Sequence, residues 1–214
     1  MGGRRRSRLY SHEDEAIPNS ADAPAPRREV GWRTASLWTE LVRVLGASLL
    51  LTFFIVTFVG RAFTVEGPSM YPTLRSGERL IVDELSYRFT SPQRGDIIVF
   101  RYPSDPREFF VKRLVALPGE EVAIRDHRVW VNGQPLDEEY LQTETLGEFG
   151  PVIVPADHYF VLGDNRTNSA DSRDPRVGFI PHRYIVGRVL WRYWPLDRIG
   201  TLRPPPQWQA LARP

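Results

Sequence analysis

Seventeen consecutive residues, 44–60 (VLGASLLLTFFIVTFVG), carry no charge, and no fold that leaves such a run in water is stable. As a helix at 1.5 Å per residue the run spans roughly 26 Å, slightly short of a bilayer core of about 30 Å, so Arg43 and Arg61 are expected to snorkel or the bilayer to thin. Arg27, Arg28, Arg33 and Arg43 precede it and only Arg61 closely follows, which predicts a single-pass anchor over residues 37–61 with its N-terminus in the cytoplasm and everything later outside. Trp32 and Trp38 stand where interfacial anchors are expected. A cleavable signal peptide is the competing reading, and Gly60-Arg61-Ala62 resembles its small-x-small cut site. The apolar run is longer than the usual h-region, however, and a long polar stretch precedes it.

Residues 1–36 hold Arg4-Arg5-Arg6, an acidic patch at Glu13-Asp14-Glu15 and a Pro/Ala-rich run, with too few large apolar residues for a core. A disordered cytoplasmic tail is the expectation. Beyond residue 61 the pattern is one of short Val-, Ile- and aromatic-rich segments separated by Gly, Pro and Asp, at 63–66, 79–83, 96–101, 109–117, 121–125, 128–131, 152–154, 159–162 and 185–193. Asn132-Gly133 is a tight hairpin signal. With no persuasive helical period after the anchor, the expected fold is mainly β and antiparallel. Net charge of +2 and a pI near 9.1 do not compel a nucleic-acid partner. The absence of cysteine excludes disulfides, thiolate zinc sites and cysteine nucleophiles.

Lys112 is the single lysine among 28 Lys plus Arg residues. An arginine does not give up its proton in a protein, whereas a lysine moved out of water becomes a neutral amine able to act as a base. Phe109, Phe110 and Val111 before it, and Leu114 and Val115 after it, supply apolar surroundings. Ser69 stands in Gly-Pro-Ser-Met-Tyr-Pro, where flanking prolines fix the backbone, and a serine hydroxyl beside a neutral lysine is an activated nucleophile without histidine. The residues alone leave another reading open: a surface strand with two cations, and a plain turn.

Four stretches resemble, in order, the motif boxes of bacterial type I signal peptidases, serine/lysine proteases that remove signal peptides from exported proteins: residues 66–74, 94–100, 112–120 and 163–173. The match runs from about Phe63 to Pro195. The resemblance implies a β-rich catalytic core over 62–117 and 151–203, an inserted β subdomain over 118–150 and a C-terminal tail over 204–214. It also implies cleavage of secretory pre-proteins after a small-x-small site on the outer face of the cytoplasmic membrane, with a lipid bilayer and pre-proteins as partners, no nucleic acid, and no metal or other cofactor. Oligomeric state is left open.

By position in these boxes, Ser69 is the nucleophile and Lys112 the general base. Ser169 would hydrogen-bond and orient the lysine, and Asp171 with Arg173 would support the region. Met70, Leu74, Phe110 and Val111 would line shallow apolar pockets that admit small side chains. Many family members carry a serine two residues before the nucleophile as an oxyanion donor; here Gly67 stands there, leaving the Ser69 backbone N–H as the main donor. Gly95 and Asp96 read as turn chemistry, and the acidic residues Asp137, Glu138, Glu139 and Glu144 as wet surface. Trp191-Arg192-Tyr193-Trp194 reads as sheet core or as a membrane-dipping patch. His12, His127, His158 and His182 share no motif with Ser69 and read as solvated. A self-cleaving transcriptional regulator uses a similar dyad but needs a DNA-binding domain where this chain has its apolar run. A non-catalytic anchored β domain is the other rival.

Overall fold

The computed structural model describes residues 31–58 and 60–210, with side chains described for 37–52 and 61–208. The expected tail lies outside the described residues up to residue 30, and with it Arg4, Arg5, Arg6 and His12. The chain divides after Gly46 into two units. Helix α1 spans Gly31–Phe58, and its described apolar side chains, such as Leu37, Leu45, Leu49 and Leu50, are exposed. No helix among the described residues is long and apolar enough to cross a membrane; the side chains of 53–60, the second half of the uncharged run, lie outside the description.

The rest is antiparallel β structure, as the alternating Val/Ile/aromatic segments require. The strands are β1 (Gly60–Thr64), β2 (Arg79–Asp83), β3 (Ile97–Tyr102), β4 (Asp105–Ala116), β5 (Glu121–Arg125) and β6 (Arg128–Val131). They continue with β7 (Gln134–Pro135), β8 (Phe149–Ile153), β9 (His158–Leu162), β10 (Ile180–Pro181), β11 (Ile185–Trp194) and β12 (Gly200–Thr201). The larger sheet has the order β1-β2-β11-β3-β4-β9-β10, with β12 on β11; the smaller is β7-β6-β5-β8. Asn132 and Gly133 take positive φ of 52° and 74° between β6 and β7, the left-handed pair that a two-residue hairpin needs. Three strands separate β1 from β4 in the larger sheet, yet the rings of Phe63 and Phe109 meet edge-on at 5.6 Å. The sheet therefore curls until its first strand faces its fifth.

Three apolar clusters hold this together. One lies under β1–β3 and β11 (Val65, Met70, Leu74, Leu80, Val82, Ile97, Val99, Val189), and a second is built on Ile98, Phe100, Leu114 and Val161. The third joins the two sheets, combining Val115, Ala116, Phe160 and Leu162 of the larger with Val122, Ile124, Val129 and Val131 of the smaller. Trp208 of the short helix α2 (Pro206–Ala210) is fully buried in this third cluster. The stretch that reads as a tail thus carries one of the largest core side chains.

Gly95 links that C-terminal stretch to the larger sheet. Its φ is +90°, and a Cβ there would stand 2.8 Å from Pro204 Cβ and 3.1 Å from Pro205 Cδ. Both the left-handed backbone and the close approach demand glycine. Gly95→Ala is expected to lower unfolding free energy by at least about 1–2 kcal/mol, the backbone component alone. Chemical denaturation in detergent measures this, and an unchanged midpoint would contradict the packing described.

Candidate active site

Lys112 and Ser69 are 43 residues apart in sequence and come together because β4 runs under the turn that follows β1. Lys112 Nζ donates to Ser69 Oγ at 2.8 Å and to Val111 O at 3.0 Å, and stands 5.2 Å from the centroid of the Phe110 ring. Its side chain is almost wholly buried, 4% exposed. Burial is the largest influence on the amine and brings its pKa down from 10.5 to about 8, while the carboxylates of Asp171 and Asp164 pull it back up. At that value roughly a tenth of the molecules carry a neutral amine at pH 7, against about one in two thousand for an ordinary lysine. With the amine neutral, the same contact reverses: the hydroxyl donates and the nitrogen accepts, which is the geometry for proton abstraction.

The Ser69 turn is fixed by the loop that follows β9. Because β9 pairs antiparallel with β4, Leu162 lies opposite Arg113, and the next residues, Gly163 and Asp164, emerge beside Lys112. Asp164 accepts from Arg113 at 2.9 and 2.6 Å, a pair whose side chains are 0% and 3% exposed. The Asn165 N–H then donates to Ser69 O at 3.0 Å, and its side-chain amide to Pro68 O at 3.2 Å. Gly163 has to be glycine, since a Cβ would collide with Ser169 and with Ser69 O. Asp171, fully buried, closes the loop by accepting from Gly163 N at 3.0 Å and from the Arg173 guanidinium at 2.8 Å. Asp171 is fully buried and its partner Arg173 half-buried, so the pair is anchored from the inside of the loop.

Ser169 departs from expectation. It packs against Gly163 beside the Ser69 carbonyl, but its buried Oγ has no hydrogen-bond partner among the described residues, so it does not bond to Lys112, whose contacts go to Ser69 and Val111. Met70 and Leu74 are corrections as well. Leu74 N donates to Met70 O at 2.8 Å, an i to i−4 turn that sets both side chains on one side, and both are fully buried. They sit in the apolar cluster behind the site with Val65, Leu80 and Val99 and do not line it.

The cleft beside the pair has a volume of about 580 Å³. Phe110 and Val111 line it, together with Ser69 and Lys112. Sequence reading missed the rest of the wall, which includes Phe63, Val65, Leu80 and Val99, and the carboxylates Glu66 and Glu108. No local signal marks these residues, because strands far apart in sequence bring them together. Gly67 donates its N–H to Ser76 Oγ at 3.3 Å. Of the histidines, His158 bonds to Ala156 O and His182 to Tyr159 OH, and neither lines the cleft, nor does His127. Among the described residues no cluster of His, Cys, Asp and Glu could hold a metal ion.

A buried lysine with a lowered pKa leaves a pH signature on stability. Below about 8 both folded and unfolded chains hold the proton, and the folded state bears the full cost of the buried charge; between about 8 and 10.5 only the unfolded chain holds it, so stability rises with pH until the cost has gone. Lys112→Met is therefore expected to stabilise the protein at pH 7 by up to about 3 kcal/mol, a gain that fades as pH approaches 10.5. Denaturation at pH 7 and pH 10.5 checks it; an equal gain at both would show that burial of charge is not its source.

The model of the family described as signal peptidase, peptidase S26, matches residues 38–194. A signal peptidase I of Leptolyngbya laminosa is 41% identical over 206 residues, covering 90% of this chain and all of that one. A probable signal peptidase I-2 of Synechocystis sp. is 43% identical over 171 residues, 77% of each chain. A solved signal peptidase I from Enterococcus faecalis is 36% identical, covering 46% of this chain and 97% of that one, with a TM-score of 0.42.

Proposed function

The chain belongs to the signal peptidase family, peptidase S26, and is a serine endopeptidase of that family; from this we propose that it cleaves signal peptides from exported pre-proteins with Ser69 as nucleophile and Lys112 as general base. The observation that carries the reading is the 2.8 Å contact between the single lysine, buried and depressed in pKa, and Ser69 Oγ on the wall of the cleft. The neutral amine takes the hydroxyl proton as Oγ attacks the scissile carbonyl, then passes it to the departing amine. Water enters, Lys112 takes its proton in turn, and the acyl-enzyme is hydrolysed. The Ser69 backbone N–H is the main oxyanion donor, as no side-chain hydroxyl is available at Gly67. Asp171 and Arg173 support the site by closing the 163–173 loop, and Ser169, packed against Gly163 of that loop, is taken as the group that orients the lysine.

The cleft wall of Phe63, Val65, Phe110 and Val111 favours short apolar side chains before the cut, consistent with small-x-small recognition. We take residues 62–117 and 151–203 as the catalytic core and 118–150 as its insertion. The exposed apolar side chains of α1 and the uncharged run 44–60 support an anchor over 37–61 in the cytoplasmic membrane, N-terminus inside and cleft outside, with bilayer lipid as the second partner.

A detergent-solubilised secretory precursor with an Ala-x-Ala site tests the mechanism. Wild type is expected to cleave after the second alanine, with kcat/KM rising about tenfold per pH unit below pH 8 and levelling above it, following the amine. Ser69→Ala and Lys112→Ala should be inactive. So should Lys112→Arg, which keeps the charge and cannot serve as base. Full activity in Lys112→Arg would exclude the dyad and favour a different base.

A further inference from the structure

The C-terminal segment makes two contacts that lead, through Arg166 and Arg113, to the loop beside the dyad. Trp208 donates its indole N–H to Asp137 O at 2.6 Å and packs edge-on against Tyr140 at 5.8 Å. Asp137 begins the segment between β7 and β8 that grips Arg166. Glu138 accepts from the Arg166 guanidinium at 2.8 Å, and Thr145 and Tyr140 accept from the same group. Glu138, which reads as wet surface in the sequence, has a side chain only 9% exposed, against an arginine at 0%. Arg166 in turn donates to Gly163 O at 3.2 Å and accepts at its own carbonyl from Arg173, so it ties both ends of the loop that touches Ser69.

The second contact is that of Pro204 and Pro205 with Gly95. Gly95 O accepts from Arg113 Nη1 at 3.1 Å, and Arg113 is the partner of Asp164 and lies over the Tyr140 ring at 4.3 Å. The partners of both buried guanidiniums are therefore backed by residues 204–208.

We propose that Trp208, with Pro204 and Pro205, forms a positioning clasp for the dyad, and that the smaller sheet's 137–145 segment transmits it to the Ser69–Lys112 contact. The inference rests on the Ser69–Lys112 reading of the site. Trp208 touches neither substrate nor the reacting atoms; it acts through Asp137, Glu138 and Arg166. Without the indole N–H, the Asp137 carbonyl turns to solvent for a donor and the segment is released from the Trp208 ring, so it shifts. Arg166 and the 163–173 loop loosen, and water reaches Lys112. Because burial is what chiefly depresses the amine, admitting water returns it toward its ordinary value. The defect is then one of protonation and geometry, not of substrate binding.

Trp208→Phe keeps the apolar plug and removes only the donor, while Glu138→Gln weakens the next link. Both are assayed as full-length, detergent-solubilised enzyme on the Ala-x-Ala precursor from pH 6 to 10, beside wild type and Ser69→Ala. Each variant is expected to unfold cooperatively, to lose about tenfold in kcat near pH 7 with KM little changed, and to recover most of that deficit by pH 10. A wild-type profile in both variants overturns the clasp. So does a loss by the same factor at every pH, the mark of a smaller folded fraction. Should Trp208→Phe fail to fold, Glu138→Gln decides alone by the same criteria. A Ser69→Ala protein as active as wild type would instead sink the dyad reading beneath the proposal. A dead Ser69→Ala beside an unmoved Trp208→Phe and Glu138→Gln would remove the clasp only.

Discussion

An amine held out of water has to be compensated, and the contact between Lys112 and Ser69 is stable only because its neighbours are built around it. Burial pushes toward the neutral base, whereas Asp164 and Asp171 push toward the ammonium. The two tendencies leave the amine near pH 8, close to where a base is both unprotonated often enough and strong enough to be useful. Neither carboxylate is free to move in and form a direct ion pair with the lysine. Asp164 is saturated by Arg113, and Asp171 by Arg173 and a backbone N–H.

Buried and half-buried arginines perform the same task elsewhere. Arg94 donates to Val115 O and to Glu120, Arg166 to Glu138 and Thr145, and Arg192 with Arg198 to the buried Glu78. Each guanidinium presents several donors in a fixed plane, so one side chain can tie two or three loops that share no secondary structure. Such pairs add little net stability compared with apolar residues of the same volume, but they specify which loop meets which. In a fold whose cleft is assembled from β1 to β4 and the turn that carries Ser69, that specification is what the site needs. Arg192 illustrates it: its guanidinium also donates to Thr73 O, tethering the turn after Ser69 to β11.

Much of this was legible in the chain. The segments 79–83, 121–125 and 128–131 form strands with those bounds, because alternation and β-branched residues are local signals. Ser69 and Lys112 stood out as a serine between prolines and a lone lysine in an apolar setting, but the residues alone left a surface strand and a plain turn open, and it was the order of the motif boxes that paired them. Phe63, Leu80 and Val99 as cleft walls were not, because an apolar residue in a strand looks the same whether it faces a core or a cleft. Met70 and Leu74 erred in the opposite direction: their position in the motif boxes suggested a pocket, and one turn of i to i−4 bonding sent both inward. Trp208 and Glu138 were misjudged through their neighbours, since proline-rich and acidic stretches are usually solvated and only long-range contacts reveal an exception.

What the sequence determined by itself was the alphabet of the protein: an uncharged run, short antiparallel strands, and a single lysine with apolar neighbours. These follow from side-chain chemistry and from periods of a few residues, which act locally. Only the tertiary structure decided which walls face the cleft, how strongly the amine is desolvated, and that residues 204–208 reach back behind the partners of Arg113 and Arg166. Those properties depend on which distant segments exclude water from the same few cubic ångströms, and no local pattern encodes that.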